Sequence, residues 1–481
     1  MTSSTTSRAS TRWVVLILLG EVGLSLALGF YRLGHKSLWY DEGFSAMASS
    51  RGLPGVLKVV RYYDSNMPMY NGALSVWRVV GAGEVGLRSF SVVATAAAVV
   101  AIYFLAARLF DRTTGLIAGL LLAVAPFAVR YSQEVRGYGL LLLMVTLGSY
   151  CFVVAVETKS SGWFAVYAVV AAASCYAHLV AIFVIAAQVV SLAFLGRRNV
   201  PARKVVATLG VVGVLLMPLA VAYVAGGDNT GVGTPTWRTV PRVLAEVGGG
   251  VLLAVLVGAL CLVPVVLAWR SWREHGASPE TWRLAFVLTC LVVPFLSALV
   301  AAVVAQSNWA SRYLIIILPA LLIAASVAIR RIGDRRLIAG VLVLIAVLAG
   351  VKTWHWYTGP AIEDWRGTVA YVERSSTPED GIVFCVAPAR VPFEYYALRS
   401  SARDRPQPLS PADPWGNGVH MSQNHDETAT TVPGAPDRIW VVSRYTSPDA
   451  TGVCDIPAAM AGRTRAERRT IGNVLVERYD R

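Results

Sequence analysis

The chain has 481 residues, of which 55% are hydrophobic and 15% charged, and its mean hydropathy is +0.55. Long apolar runs rich in Ala, Val and Leu exclude an ordinary soluble protein and predict a polytopic α-helical membrane protein. The formal net charge of +14 resides in short Arg and Lys clusters at the ends of apolar segments, which indicates membrane topology and argues against a nucleic-acid partner.

The N-terminal apolar run is the first of about eleven segments that are long enough to span a bilayer, at about 20 residues each. It follows a polar, basic stretch and has no small-residue cleavage site at a suitable distance, so we expect a retained signal-anchor helix. The predicted spans lie at 13–33, 86–107, 114–130, 137–156, 162–177, 179–196, 204–225, 249–269, 284–305, 312–329 and 337–353. Together they define a membrane module over residues 1–353.

The Arg and Lys clusters fall on alternate connections between these segments. Because basic loops stay on the cytoplasmic side, counting eleven spans places the N-terminus in the cytoplasm and everything after Lys352 outside the cell membrane. The connections that combine aromatic and charged residues all fall on the outer side. The sequence therefore predicts that any chemistry takes place at the outer face of the lipid bilayer.

The first outer loop, 34–85, is longer than a connector needs, and a structureless loop of that length would be unusual. Its apolar residues recur at roughly helical spacing, which predicts short amphipathic helices at the membrane interface. Within it, the stretch SLWYDEGFSA at 37–46 places Asp41 and Glu42 among three aromatic residues.

A carboxylate near the membrane is costly to desolvate, so Asp41 and Glu42 either stay hydrated as an ordinary loop pair or have cationic partners. The candidate partners are Lys36, Arg51, Arg136 and Arg312. The aromatic neighbours favour a partly dehydrated pocket, in which Asp41 would act as a general base or hold a divalent cation, Mg²⁺ or Mn²⁺.

Two further outer segments carry polar residues at the start of a predicted span. In YSQEVRGYG, Tyr138 lies one helical turn after Glu134 and so on the same predicted face, with Arg136 between them. An interfacial aromatic residue with a snorkelling Arg is the alternative. In SNWASRY, Arg312 and Tyr313 open a span, where a cation is unfavourable to the helix dipole, so a nearby anionic ligand would explain its position.

After Lys352 the composition becomes richer in Pro, Asp, Arg and Ser, which marks a second domain over residues 354–481. Helix-like and strand-like segments alternate there and predict a small exoplasmic α/β domain with a largely parallel sheet. The segment 401–436 is expected to be an irregular excursion. Cys385 and Cys454 could pair if the domain faces an oxidising compartment.

An ordered set of short motifs resembles the bacterial GT-C glycosyltransferases that are similar to the protein O-mannosyltransferases and the lipid A aminoarabinose transferases. The set is specific to that superfamily and says little about the sugar. Its members are SLWYDEGFS, DSNMPMY at 64–70, GLRSFSV at 86–92, SQEVRGY at 132–138, YAHL at 176–179, SRYLIIILPAL at 311–321 and EDWRGTVAYV at 363–372.

The resemblance implies transfer of a sugar from a polyprenyl-phosphate carrier to a glycan, lipid or protein acceptor of the cell envelope, with inversion expected. Mannose and then arabinofuranose are the expected sugars. Asp41 would be the catalytic carboxylate with Glu42 supporting it, and Arg312 would neutralise the leaving phosphate. The other residues that this reading assigns to the substrate site are Asn66, Tyr70, Glu134, Arg136, Tyr138, His178 and Tyr313.

Two of these assignments stay open. Relatives commonly carry His-Pro-Pro-Leu-Tyr where this chain has 66–70, so the donor pocket around Asn66 departs from the family pattern. His178 lies at an outer helix break, where packing and ligand contact are equally compatible with the sequence.

A transporter or flippase for lipid-linked sugars is the rival class, although such proteins tend to show repeated halves and ionisable groups at mid-membrane. An envelope binding protein without activity is the third alternative.

Overall fold

Apolar helices make up most of the chain, and a small sheet domain follows them. The computed structural model describes residues 3–62, 65–225, 238–304, 310–385, 389–402, 405–416, 436–444, 460 and 462–481. The helices are α1 (Ser3–Phe30), α2 (Tyr40–Ser49), α3 (Gly52–Tyr62), α4 (Pro68–Trp77), α5 (Glu84–Leu109), α6 (Arg112–Val124), α7 (Pro126–Ser132), α8 (Tyr138–Thr158), α9 (Ser161–Ala177), α10 (Ile182–Ser191), α11 (Ala202–Ala225), α12 (Thr239–Val247), α13 (Val251–His275), α14 (Pro279–Val304), α15 (Leu318–Arg331), α16 (Arg335–Thr358), α17 (Trp365–Ser375) and α18 (Arg390–Ala397).

The predicted polytopic membrane fold is confirmed. Within the described residues, eight helices are long and apolar enough to cross a membrane, and the bent pair α6 and α7 adds a ninth. The 56° bend falls where Pro126 begins α7, since proline cannot continue the hydrogen bonding of the preceding helix. Two shorter apolar helices, Ser161–Ala177 and Leu179–Phe194, occupy the remaining two of the eleven predicted segments.

The 34–85 loop contains the helices α2, α3 and α4, as the apolar spacing predicts. Helix α3 exposes Leu53 and Leu57 and fits the expected interfacial helix. Helix α2 does not, because every residue in it except Asp41 is buried. A Cβ on Gly43 would lie 2.9 Å from the Pro392 side chain, so α2 packs beneath α18 instead of lying on the membrane surface.

The C-terminal domain holds a five-stranded sheet in the described part of the chain, with strand order β2-β1-β3-β5-β4. Strand β1 pairs in parallel with β2 and β3, whereas β5 pairs antiparallel with β3 and β4. The predicted α/β domain is therefore confirmed. The prediction of a largely parallel sheet is wrong, because two of the four described strand pairs are antiparallel. The strands are β1 (Gly381–Phe384), β2 (Gln407–Ser410), β3 (Arg438–Ser443), β4 (Thr464–Ile471) and β5 (Val474–Asp480).

Two of these strands are absent from the sequence prediction for a physical reason. Strand β4, TRAERRTI, is exposed or half-buried along its whole length and so lacks the apolar alternation that marks a strand. Strand β2 lies inside the segment expected to be irregular, next to Pro411. Cys385 is disulfide-bonded, and Cys454 lies outside the described residues.

The C-terminal domain packs directly on the 34–85 loop. The hydroxyl of Tyr396 accepts a hydrogen bond from the backbone N–H of Leu38 at 2.7 Å, and it also donates to Glu84. Arg366 forms an ion pair with the same Glu84. The loop that carries the acidic pair is thus enclosed between the membrane helices and the sheet domain.

Candidate active site around Asp41

Asp41 lies in the first turn of α2, and 14% of its side chain is exposed. Its Oδ2 atom is 3.5 Å from Nη2 of Arg312 and 3.9 Å from Nη2 of Arg136. Of the four candidate cations, the structure therefore brings the two from distant outer segments to Asp41. Lys36 instead donates to the Trp356 carbonyl, and Arg51 donates to Gly416.

Glu42 is turned away from this pocket and is fully buried. Its carboxylate forms a two-pronged ion pair with Arg88, with Nε–Oε1 at 2.8 Å and Nη2–Oε2 at 2.7 Å. It also accepts backbone hydrogen bonds from Trp39 and Val135. These contacts fix the start of α2 against the 133–137 turn, so the geometry gives Glu42 a positioning role and leaves Asp41 as the carboxylate that faces the pocket.

Arg88 is the main site residue that sequence reasoning missed. It also donates to the carbonyl groups of Leu33 and Lys36, both at 2.8 Å, and so holds the end of the first span. A signal was present, since an Arg inside a predicted apolar span needs a partner.

Aromatic rings extend the site away from Asp41. The guanidinium of Arg312 lies 5.6 Å from the Trp39 ring and 5.7 Å from the Tyr313 ring. The Tyr313 ring is 5.1 Å from the His178 ring, which in turn is 6.1 Å from the Tyr138 ring. The residues predicted separately in three outer segments therefore form one continuous cluster.

Buried polar atoms in this cluster have no hydrogen-bond partner among the described residues. Nearly all buried polar groups in proteins are hydrogen-bonded, so several orphaned atoms in one place indicate that a polar ligand or ordered water supplies the missing partners. These atoms are Nε1 of Trp39, both carboxylate oxygens of Glu134, Oη of Tyr138, Nε2 of His178 and Nε of Arg312.

His178 presents a donor to this cluster. Burial, together with the positive charges of Arg136 and Arg312, lowers the pKa of His178 to about 3, so the ring is neutral. Its Nδ1 accepts a hydrogen bond from the Val180 N–H at 3.4 Å, which leaves the ring proton on Nε2. A neutral N–H donor suits a sugar hydroxyl or a phosphate oxygen.

Tyr70 and Asn66 lie close to the 133–137 turn that carries Arg136. The Tyr70 hydroxyl is 3.2 Å from the hydroxyl of Ser91, which donates to the Arg136 carbonyl at 3.2 Å. Asn66 is half-buried in the turn before α4, next to Met67, which packs against Gly137. Both residues therefore lie on the segment that supports the 133–137 turn.

Glu134 lies in the turn between α7 and α8 and not on a helix face shared with Tyr138, so that part of the prediction is wrong. Burial raises its pKa to about 7, a shift that Arg130, whose Nε lies 3.9 Å away, only partly opposes. Glu134 also borders a small cavity together with Lys36 and Trp356. Near neutral pH the group can therefore donate or accept a proton.

One protein-family model matches part of the chain. The family model for dolichyl-phosphate-mannose-protein mannosyltransferase matches residues 68–223, a range that includes Glu134, Arg136 and His178 but not Asp41 or Arg312. No protein with curated function matches the sequence.

The likeness to solved structures extends over the whole chain. ArnT from Cupriavidus metallidurans superposes with a TM-score of 0.61 in the apo state and 0.59 bound to undecaprenyl phosphate, at 15% identity. The apo match covers 98% of both chains. The chain has the GT-C fold.

Two larger GT-C proteins match over part of their own length. AglB from Archaeoglobus fulgidus, solved with an inhibitory peptide and a dolichol-phosphate, gives a TM-score of 0.56 at 12% identity, covering 90% of this chain and 70% of AglB. The mycobacterial arabinofuranosyltransferase AftD gives 0.52 at 14% identity, covering 98% of this chain and 40% of AftD.

The residues around Asp41 in this GT-C chain do not suit a divalent cation. Mg²⁺ takes about six oxygen ligands, and Mn²⁺ prefers similar oxygen donors. Asp41 offers one carboxylate with two guanidinium groups within 4.0 Å. The described part of the chain holds no group of three or more His, Cys, Asp or Glu residues that could bind a metal.

The buried Glu134 predicts a pH-dependent stability. Because its pKa rises from 4.5 to about 7 on folding, the folded state binds more protons between these values, and the free energy of unfolding falls as pH rises through that window. The change amounts to about 3 kcal/mol. Glu134→Gln should remove it, so the melting temperature of the variant relative to the unmodified protein should be higher at pH 8 than at pH 5. Parallel pH profiles of the two proteins would contradict the buried, proton-binding state.

Proposed function

We propose that this chain is a glycosyltransferase that moves a sugar from a polyprenyl-phosphate carrier to an acceptor hydroxyl at the outer face of the membrane. One observation carries the proposal: Asp41 is partly exposed between Arg136 and Arg312, in a pocket where several buried polar atoms have no hydrogen-bond partner among the described residues. The GT-C fold supports it, since ArnT and AglB have been solved with undecaprenyl phosphate and dolichol-phosphate.

The proposed reaction is a single displacement. Asp41 removes the proton of the acceptor hydroxyl, the oxygen attacks the anomeric carbon, and the bond between that carbon and the phosphate oxygen breaks. The bonding electrons leave with the polyprenyl phosphate, whose charge Arg312 and Arg136 stabilise. Arg suits this role because its planar guanidinium makes paired hydrogen bonds and keeps its charge when partly buried. One displacement of this kind inverts the anomeric centre.

The cluster of Trp39, Tyr138, His178 and Tyr313 is the proposed sugar and phosphate subsite. Its unpartnered atoms are mostly donors, and both sugar hydroxyls and phosphate oxygens accept hydrogen bonds. Mannose is the first sugar to test because the matching family model describes mannosyltransferases. Arabinofuranose is the second because AftD is an arabinofuranosyltransferase. A glycan, lipid or protein of the cell envelope is the proposed acceptor.

Product analysis tests the proposal directly. Purified full-length protein is incubated with polyprenyl-phosphate mannose or arabinofuranose and an envelope extract, with and without a chelator, and the products are identified by mass spectrometry. A new glycosylated product supports the proposal, and the chelator arm shows whether Mg²⁺ or Mn²⁺ takes part. If the protein moves intact donor across the membrane of lipid vesicles and forms no glycosylated product, the transporter alternative is favoured.

Arg312 should determine donor affinity. Losing one charge-assisted contact costs about 1.5–3 kcal/mol, so Arg312→Ala should weaken donor binding by about 10- to 100-fold. Arg312→Lys keeps the charge but not the paired geometry and should fall in between. The measurement is binding of labelled polyprenyl-phosphate sugar to protein in nanodiscs, with Arg108→Ala, which removes an ion pair with Glu157, as the control. Equal affinities for all four proteins would remove Arg312 from the phosphate site.

A further inference from the structure

A carboxylate from the C-terminal domain region contacts the helix that carries Asp41. Oε2 of Glu363 accepts a hydrogen bond from the backbone N–H of Tyr40 at 2.8 Å. Tyr40 is the first residue of α2 and directly precedes Asp41. The first N–H groups of a helix have no partner within the helix, and a negative charge there also interacts favourably with the helix dipole. Glu363 therefore caps α2 from a position 323 residues further along the chain.

Glu363 is itself held in a fixed orientation. Trp365 Nε1 donates to the same Oε2 at 2.7 Å, and Arg444 Nε donates to Oε1 at 2.8 Å. The guanidinium of Arg444 lies 3.9 Å from the centre of the Tyr40 ring. Arg444 thus contacts both the capping carboxylate and the residue that is capped, and the side chains of Tyr40, Glu363, Trp365 and Arg444 form one unit across the domain boundary.

The first turn of α2, which Glu363 caps, sets the position of the Asp41 carboxylate relative to Arg312. Asp41 is the second residue of α2, and its Oδ2 atom lies 3.5 Å from Arg312, which belongs to a separate membrane helix segment. Fraying or rotation of the first turn would change that distance directly. A misplacement of about 1 Å can lower the rate of an enzyme by about 100-fold.

We infer that Glu363, oriented by Arg444, is a positioning residue for Asp41, so that the C-terminal domain forms part of the catalytic machinery. The inference rests on the proposed function, because it assigns Asp41 its catalytic role. It also accounts for the EDWRG motif, whose Glu363 and Trp365 both belong to this unit.

The kinetic experiment compares Glu363→Met, which leaves no acceptor for the Tyr40 N–H, and Arg444→Met with a matched control in the full-length protein. The control is Glu373→Met, since the Glu373–Arg405 pair has almost the same exposure, 8% and 17%, as the Glu363–Arg444 pair, 6% and 17%, and lies in the same domain. Loss of positioning should lower kcat by about 10- to 100-fold with less than about a threefold change in the donor KM. The control should leave both constants unchanged, and Arg444→Lys should recover part of kcat.

Amide hydrogen exchange supplies a measurement that does not require turnover. Loss of the cap in Glu363→Met should speed exchange in peptides that cover 38–46 by roughly tenfold, while Glu373→Met should not. Faster exchange in a protein without transfer activity would refute the proposed function and leave the capping role standing. Active protein whose kcat and exchange are unchanged by Glu363→Met would overturn the positioning role. If Glu363→Met fails to fold, Arg444→Met supplies the same two measurements, and unchanged kcat and exchange in that variant would overturn the role of Arg444 in orienting Glu363.

Discussion

Replacing Asp41 with asparagine is expected to lower kcat by about 100- to 10,000-fold, the usual contribution of a positioned general base. Asparagine keeps the size of the side chain but cannot take the proton of the acceptor hydroxyl. The folded yield should change little, because Asp41 is partly exposed and its two arginine contacts, at 3.5 and 3.9 Å, are longer than ordinary hydrogen bonds. Single-turnover transfer from a polyprenyl-phosphate sugar measures the effect on chemistry alone.

A matched control for this substitution is Asp111→Asn. Asp111 lies 3.8 Å from Arg330 and caps α6, a position where asparagine serves equally well. The Asp111→Asn substitution should therefore leave kcat unchanged. Turnover of Asp41→Asn at the rate of the unmodified protein would exclude Asp41 as the base, and the orphaned Glu134 would then be the next carboxylate to test.

The membrane fold could be predicted because its signal is local. A run of about 20 apolar residues identifies a span without knowledge of its neighbours. The bent segment at Pro126 and the two short helices after Lys159 are harder to identify as membrane spans from sequence, because their form depends on packing within the helix bundle. In the C-terminal domain the buried strand β3 was found, whereas the charged strand β4 was not, since its pairing with β5 stabilises it without apolar alternation.

The candidate site was predictable as far as its residues occur in polar motifs within an apolar chain. Asp41, Arg136 and Arg312 stand out because charges at the membrane need a reason. The supporting contacts were not predictable in the same way. Arg88 pairs with Glu42 across 46 positions, and Glu363 reaches Tyr40 across 323, and no local pattern shows which distant group will meet which.

Breaking the buried pair of Glu42 and Arg88 should cause the largest loss of stability. Their side chains are 1% and 4% exposed, so Arg88→Met leaves an uncompensated carboxylate in the interior and should lower the free energy of unfolding by about 3–5 kcal/mol. The comparison substitution is Arg283→Met, which removes a 43% exposed Arg from its pair with Glu157 and should cost less than about 1 kcal/mol. Denaturant unfolding of both variants in the same detergent gives the two values.

The double variant Arg88→Met with Glu42→Gln separates the charge from the packing. Glutamine keeps one carbonyl oxygen and can accept from Trp39 or from Val135, which bind different oxygens of Glu42, but not from both. Removing both charges should therefore recover part of the stability lost in Arg88→Met. Activity should not recover to the same extent, since the ion pair also sets the position of α2 and hence of Asp41. A double variant as unstable as Arg88→Met would show that the methylene packing and the carbonyl contacts of Arg88, and not the buried charge of Glu42, carry the energy at this junction.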